Sequence, residues 1–215
     1  MLEQEIRSDI DERQKLMLQI KTLYLRYRLN EKDEKMFLIY SIPAVYAIWE
    51  GFIQNTFKAY IQELNKLELT VDTICKPILI HHLESKFPQF REYPKHTNSR
   101  KVSFFDNLNQ FYIEKTIDIS TIVNTESNVG FKVLKNLLEK FNLDPIPDYP
   151  EPRYSLSQEL EKLLKIRNAV AHGQDSVVVN REDLEGSIEL VNRLMDLVFE
   201  KIIDGFEKKS YLLIP

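Results

Sequence analysis

The stretch LSQELEKLLKIRNAVAHG, Leu156 to Gly173, reads as one amphipathic helix and points to an all-α chain. At about 100° per residue, Leu156, Leu160, Leu163, Leu164, Val170 and Ala171 fall on one apolar stripe. Ser155 with Gln158 three residues on makes a capping box, and Gly173 suits the position just past the helix end. Arg167 lies near the centre of the stripe, where a soluble helix ordinarily carries leucine. A guanidinium there cannot simply be buried, because an unpaired buried charge costs many kcal/mol. Either this face packs on a partner carboxylate or it lines a cleft.

Around that arginine the side chains are chemically active. Asn168 and His172 are four apart and stack along one edge of the helix, while Arg167 and His172 are five apart and point about 140° from one another. Asn168 is therefore placed to orient the imidazole while Arg167 reaches round with its long side chain. His172 also occupies the last turn, where a cation is favoured by the helix dipole and the ring can cap free carbonyls. That capping role stands beside the catalytic one.

Upstream, apolar residues from Leu2 to Leu29 recur at helical spacing, and Asn30 to Asp33 reads as a turn. A second helix is expected from Glu34 to Leu67, kinked or broken near Ser41 by Pro43. Its centre, PAVYAIWEGF, is apolar almost all round except for Glu50, on the edge shared by Tyr46, Ile53 and Phe57. Glu50 either sends its head to solvent or pairs with, or orients, a buried cation such as Arg167. A third helix is expected over Val71 to Phe87. Its His81 and His82 are adjacent and so point about 100° apart, which makes them poor joint metal ligands, and no metal or other cofactor is expected.

KFPQFREYPKHTNSRK, Lys86 to Lys101, is a basic, aromatic-bearing loop: Lys86, Arg91, Lys95, Arg100 and Lys101 stand against one acid, Glu92. This is the composition that phosphate contact plus base stacking requires, and it is also that of a solvated connector. Helices follow over Phe104 to Ile117 and, capped by Ser127 or Asn128, to about Phe141. DPIPDYPEP is an extended linker. Asn180 with Asp183 caps a last helix to about Phe206, and Ser176 to Val179 is a short extended piece.

With 215 residues and 43% apolar content, one helical domain over residues 1–215 is the default. Five glycines against abundant Leu, Ile, Glu and Lys agree with helix. The single Cys75 forms no intramolecular disulfide, and the chain opens on an acidic amphipathic run rather than a leader, so a cytoplasmic setting is expected. The longest uncharged run, Met36 to Trp49, is 14 residues and contains Pro43, so no membrane span is expected. A net charge of −4 disfavours whole-molecule attraction to a polyanion, and nucleic-acid contact has to rest on local patches.

RNAVAHG, Arg167 to Gly173, resembles the RNxxxH signature of the HEPN superfamily. YAIWEGF, Tyr46 to Phe52, and SNVGFKVLKNLLEKFNLD, Ser127 to Asp144, resemble its MAE-like, RiboL-PSP-HEPN-like bacterial branch. The resemblance implies a helical bundle with long antiparallel helices, usually a homodimer with two motifs facing a shared cleft. It also implies metal-independent cleavage of RNA, often in toxin–antitoxin or phage-defence systems with an antitoxin or defence partner. Arg167, Asn168 and His172 would be catalytic, with Glu50 and Tyr46 in support. Some members continue the motif with Tyr two residues after the His, where this chain has Gln174, and some members only bind nucleotides or proteins.

Overall fold

Helix α1, Leu2–Tyr27, buries Leu2, Ile6, Ile10, Met17 and Tyr24, one face at helical spacing. It stops at Arg28 in the left-handed conformation (φ 48°). The expected turn is shorter than Asn30 to Asp33, because the Asn30 side chain accepts the Asp33 N–H and helix α2 begins at Glu31. The computed structural model describes residues 1–87, 98–113, 116–125, 128–152, 154–173 and 178–214.

Helix α2, Glu31–Asn65, is the axis of the molecule, with Ile42, Val45, Trp49, Phe52, Ile53, Phe57, Tyr60 and Leu64 fully enclosed. It is continuous through Pro43, where a break was a reasonable expectation; packing on several sides compensates for the missing N–H. By length and composition α2 is apolar enough to cross a membrane. Here its faces are covered by α1, by α6 (Leu156–Ala171) and by α7 (Arg181–Glu207), the position of a core helix.

Pairing along the helices gives the topology. Tyr24 meets Phe37, and Arg13 donates to the Ile48 carbonyl at 2.7 Å, so α1 and α2 run antiparallel. Arg181 stacks on Tyr24 at 4.7 Å and Arg7 on Phe199 at 4.4 Å, so α7 runs back along α1. Helix α7 opens with a complete capping box, Asn180 with Asp183, as its sequence predicts. Helix α6 has only half of one. Ser155 accepts the Gln158 N–H, and the rest of its N-terminus is held by Asp148, which accepts the Ser157 N–H at 2.7 Å. Gly173 takes the left-handed conformation expected of it (φ 66°).

Three shorter helices complete the bundle. Helix α3, Lys76–Lys86, starts later than Val71, because residues 71–75 form a turn and a bridge, Ile74 to Leu212, that pins the C-terminal segment. Helix α4, Asn98–Ile113, begins six residues earlier than expected and ends earlier. It packs through Phe104 and Phe111 with Phe87 in a small cluster separate from the main core. Helix α5, Phe131–Lys140, starts at Gly130 without a side-chain cap, so Asn128 is not its cap. Among the described residues there are seven helices and no strand, an all-α bundle.

Candidate functional site

Two side chains of α2 and one loop build the site. Tyr46 and Glu50 are one turn apart and share a face. The loop residues 117–125 and 128–130 are fastened across them at both ends. Near its start the Asn65 amide brackets Ile119, donating to its carbonyl at 3.0 Å and accepting its N–H at 2.8 Å. Near its end the Trp49 indole donates to the Val129 carbonyl at 2.9 Å, and the Val129 N–H donates to the Tyr46 hydroxyl at 2.8 Å. Gly130 follows where the chain passes Leu164 so closely that a Cβ would meet its methyl at 3.2 Å. Gly51, in the same segment of α2, faces the Arg13 guanidinium, which a Cβ would approach to 3.1 Å.

Arg167 emerges onto this platform from α6. Its helix is buried at Leu156, Leu160 and Leu163, but Val170 is half-buried and Ala171 exposed, so the apolar stripe leaves the core near Arg167. The guanidinium lies 4.8 Å over the Tyr46 ring, a cation–π contact. Its Nη1 donates to Asn128 Oδ1 at 3.2 Å and to Asn168 Oδ1 at 2.8 Å. The Asn168 amide oxygen is thus engaged by Arg167, and no hydrogen bond joins its side chain to His172 among the described residues. Among the described residues no carboxylate pairs with Arg167, and Nη2 and Nε meet no protein acceptor. Three of the five N–H donors of a guanidinium are thus open.

Glu50 does not pair with Arg167 directly. Its Oε1 accepts the Thr125 hydroxyl at 3.2 Å, and Thr125 in turn accepts from the Gln54 amide at 3.4 Å. Glu50 and Arg167 instead flank Tyr46. Burial, reinforced by the Glu50 carboxylate, holds the Tyr46 phenol above its ordinary value, against the opposing pull of the Val129 N–H and Arg167.

An open groove of about 740 Å³ joins these groups, lined by Arg167, Glu50, Gln54, Thr125, His81 and Lys140 among others. His172 is not part of its wall. It caps α6, exposed, with its own N–H donating to the Asn168 carbonyl at 3.0 Å. The chain thus gathers Arg167, Asn168, Tyr46 and Glu50 in one place, with His172 outside the groove's lining. Gln174, at the departure from the resembling motif, lies outside the described residues.

Of the basic residues singled out for RNA contact, Arg91 and Lys95 lie outside the described residues. Lys86 is in the last turn of α3, its Nζ 5.3 Å from the Phe111 ring centre. Arg100 and Lys101 sit in the first turn of α4, on a helix rather than in a loop. His81 and His82 are both buried, and His81 donates toward the Ser120 carbonyl at 3.2 Å. The residues missed by sequence reasoning are Asn128, Thr125, Gln54 and Lys140. Asn128 alone carried a signal, lying inside the SNVG segment, yet its helix-capping reading concealed its contact with Arg167.

The profile of the RiboL-PSP-HEPN family matches residues 5–204. No curated protein and no solved structure matches the chain. The three segments that resemble this family, 46–52, 127–144 and 167–173, converge in space on the Tyr46 ring, the Val129 backbone and the Arg167 guanidinium. With the profile spanning nearly its whole length and an all-helical bundle beneath it, the chain belongs to the RiboL-PSP-HEPN family of the HEPN superfamily.

Proposed function

We propose that this protein is a metal-independent endoribonuclease acting as a homodimer, within the nuclease or RNA-related role that its family supports. The observation that carries the reading is the state of Arg167. A half-buried guanidinium, fixed by Tyr46, Asn128 and Asn168 and without a carboxylate partner among the described residues, keeps its charge and its open N–H fork for an anion. Such a planar donor pair matches two oxygens of a phosphate and stabilises the dianionic phosphorane as it forms.

In the reaction the substrate supplies its own nucleophile. The ribose 2′-OH attacks the adjacent phosphorus, the bond to O5′ breaks, and the products carry a 2′,3′-cyclic phosphate and a 5′-OH. An imidazole near neutrality suits both proton transfers, removal from O2′ and delivery to O5′, and His172 is the candidate. DNA, lacking the hydroxyl, is not cut. In this proposal His172, which does not line the groove of its own chain, reaches the phosphate from a second copy of the chain. A role as a toxin or phage-defence effector held in check by a partner protein is part of the same proposal.

One observation favours a second reading, a non-catalytic interaction or nucleotide-binding module: His172 does not line the groove that Arg167 lines. A cleavage assay on total RNA in EDTA separates the two. Wild type is expected to cut and leave cyclic phosphate ends, while Arg167→Ala and His172→Ala each lose activity by about 100-fold or more. Mixing the two inactive variants is expected to restore part of the activity through mixed dimers. Equal cleavage by His172→Ala and wild type defeats the nuclease reading.

A further inference from the structure

We infer that Glu50 reads a guanine base of the bound RNA strand, an inference that rests on the RNA reading above and gives it a sequence preference. The groove that Arg167 lines also carries a group of opposite charge, Glu50. Glu50 and Gln54 are four residues apart on α2, so they present one face to it. The Thr125 hydroxyl donates to Glu50 Oε1 at 3.2 Å, and Gln54 donates to Thr125 at 3.4 Å. These bonds orient the carboxylate and consume a donor of Gln54. What remains toward the groove is acceptor capacity, since a carboxylate offers about four lone-pair sites, of which Thr125 and the neighbouring Tyr46 hydroxyl take up two. Among the described residues Glu50 has no ion pair, so its charge is not cancelled by a cation of the chain.

A ligand complementary to this groove carries an anion at one end and adjacent N–H donors at the other. The volume, about 740 Å³, lies inside the ~300–1,000 Å³ typical of small-ligand sites and accommodates a nucleotide. Among the four RNA bases only guanine presents two neighbouring donors, N1–H and the N2 amino group, on its Watson–Crick edge. A carboxylate accepts both in parallel, one per oxygen. Adenine and cytosine offer a single amino donor beside an acceptor nitrogen, which a carboxylate repels, and uracil sets one N–H between two carbonyls. Phosphate on Arg167 positions the strand, and the base on Glu50 specifies it.

The test uses binding, so that it does not depend on catalysis. Full-length His172→Ala protein is titrated against a fluorescein-labelled pentamer, rUrUrGrUrU, and the same pentamer with inosine or adenine at the centre, read by anisotropy. Inosine keeps N1–H and lacks the N2 amino group. Guanine is expected to bind about tenfold or more tightly than adenine, with inosine between them. In the Glu50→Gln/His172→Ala protein the three pentamers are expected to bind alike. Thr125→Val in the same background, which frees the carboxylate without changing it, is expected to give partial loss of discrimination.

Equal binding of all three pentamers by the Glu50 protein, or no binding of any, overturns the inference. So does discrimination that survives unchanged in Glu50→Gln. Its failure is distinguishable from that of the nuclease reading. Cleavage of total RNA without guanine enrichment at the cut sites sinks only the base assignment, whereas guanine-selective binding without cleavage sinks only the nuclease.

Discussion

Tyr46 has two roles that separate cleanly by mutation. Its ring supports the Arg167 guanidinium at 4.8 Å, and its hydroxyl accepts the buried Val129 N–H at 2.8 Å. Tyr46→Phe keeps the ring and removes the acceptor, leaving a buried N–H unsatisfied, so it is expected to cost about 1–3 kcal/mol in urea denaturation while RNA cleavage survives. A loss of cleavage without a loss of stability contradicts this division of roles. Arg167→Ala is expected to abolish cleavage at a stability cost no larger than that of Tyr46→Phe. Because no carboxylate depends on Arg167, removing it forfeits a cation–π contact and two hydrogen bonds, about 1–2 kcal/mol, or roughly 2–4 °C of melting temperature per kcal/mol in a chain of this size. Had Arg167 bridged to Glu50 in the core, the loss would be about 3–5 kcal/mol.

That contrast marks how far the sequence speaks at this scale. A guanidinium interrupting an apolar stripe announced that Arg167 faces a cleft or a partner, because burial of charge has only those two resolutions. It did not say which group receives the guanidinium. The ring of Tyr46 and the amide of Asn128 are 121 and 39 residues away, and no local rule ranks them above Glu50. Helical spacing favoured Asn168 beside His172, four residues on, over its immediate neighbour Arg167, yet it is Arg167 that donates to the Asn168 amide oxygen, at 2.8 Å.

Among the elements, α6 is the one on which the site depends, and its start is set by a residue outside it. Asp148, in the proline-rich connector, accepts the Ser157 N–H and the hydroxyls of Ser155 and Ser157. Burial alone would raise its carboxyl, but these donors hold it below the ordinary value. A carboxyl lowered by folding contributes stability above its unfolded value, near pH 4, and loses that contribution as pH falls through the lower folded value. Asp148→Ala is therefore expected to cost about 1 kcal/mol at pH 7, a cap-sized loss. The gap from wild type should close as the pH falls below about 4, a trend that denaturation midpoints across pH 3–7 will follow or refute.

Helices α1 and α7 were legible because their burial keeps one helical period, and α2 because its long centre is apolar almost all round. Pro43 and the basic run near Lys86 were harder, since each carries a strong local signal that tertiary packing overrides. Proline breaks an isolated helix, yet α2 is enclosed by three others and continues. Charge and polarity argued for a loop as far as Lys101, yet Phe104 and Phe111 find Phe87 across a small cluster and draw the chain into a helix from Asn98.

For the molecule as a whole, charge and proposed substrate stand in tension. A net charge of −4 repels a polyanion at long range, so attraction has to come from a few cations near the groove. Among the described residues these are Arg167 and Lys140 on its wall, with Lys86, Arg100 and Lys101 on neighbouring helices. For single strands the slope of log affinity against log salt is about −0.7 per phosphate neutralised. Two to four phosphate contacts therefore predict a shallow slope, about −1.5 to −3, for His172→Ala protein binding a uridine-rich oligonucleotide. If Arg100 and Lys101 take part, the double substitution Arg100→Ala/Lys101→Ala should reduce the slope by about 1.4 and weaken all sequences alike, because phosphate contacts carry no base preference. An unchanged slope removes the start of α4 from the RNA path and leaves the groove lined by α2, α3 and the loop before α5 to carry the strand on Arg167 and Lys140.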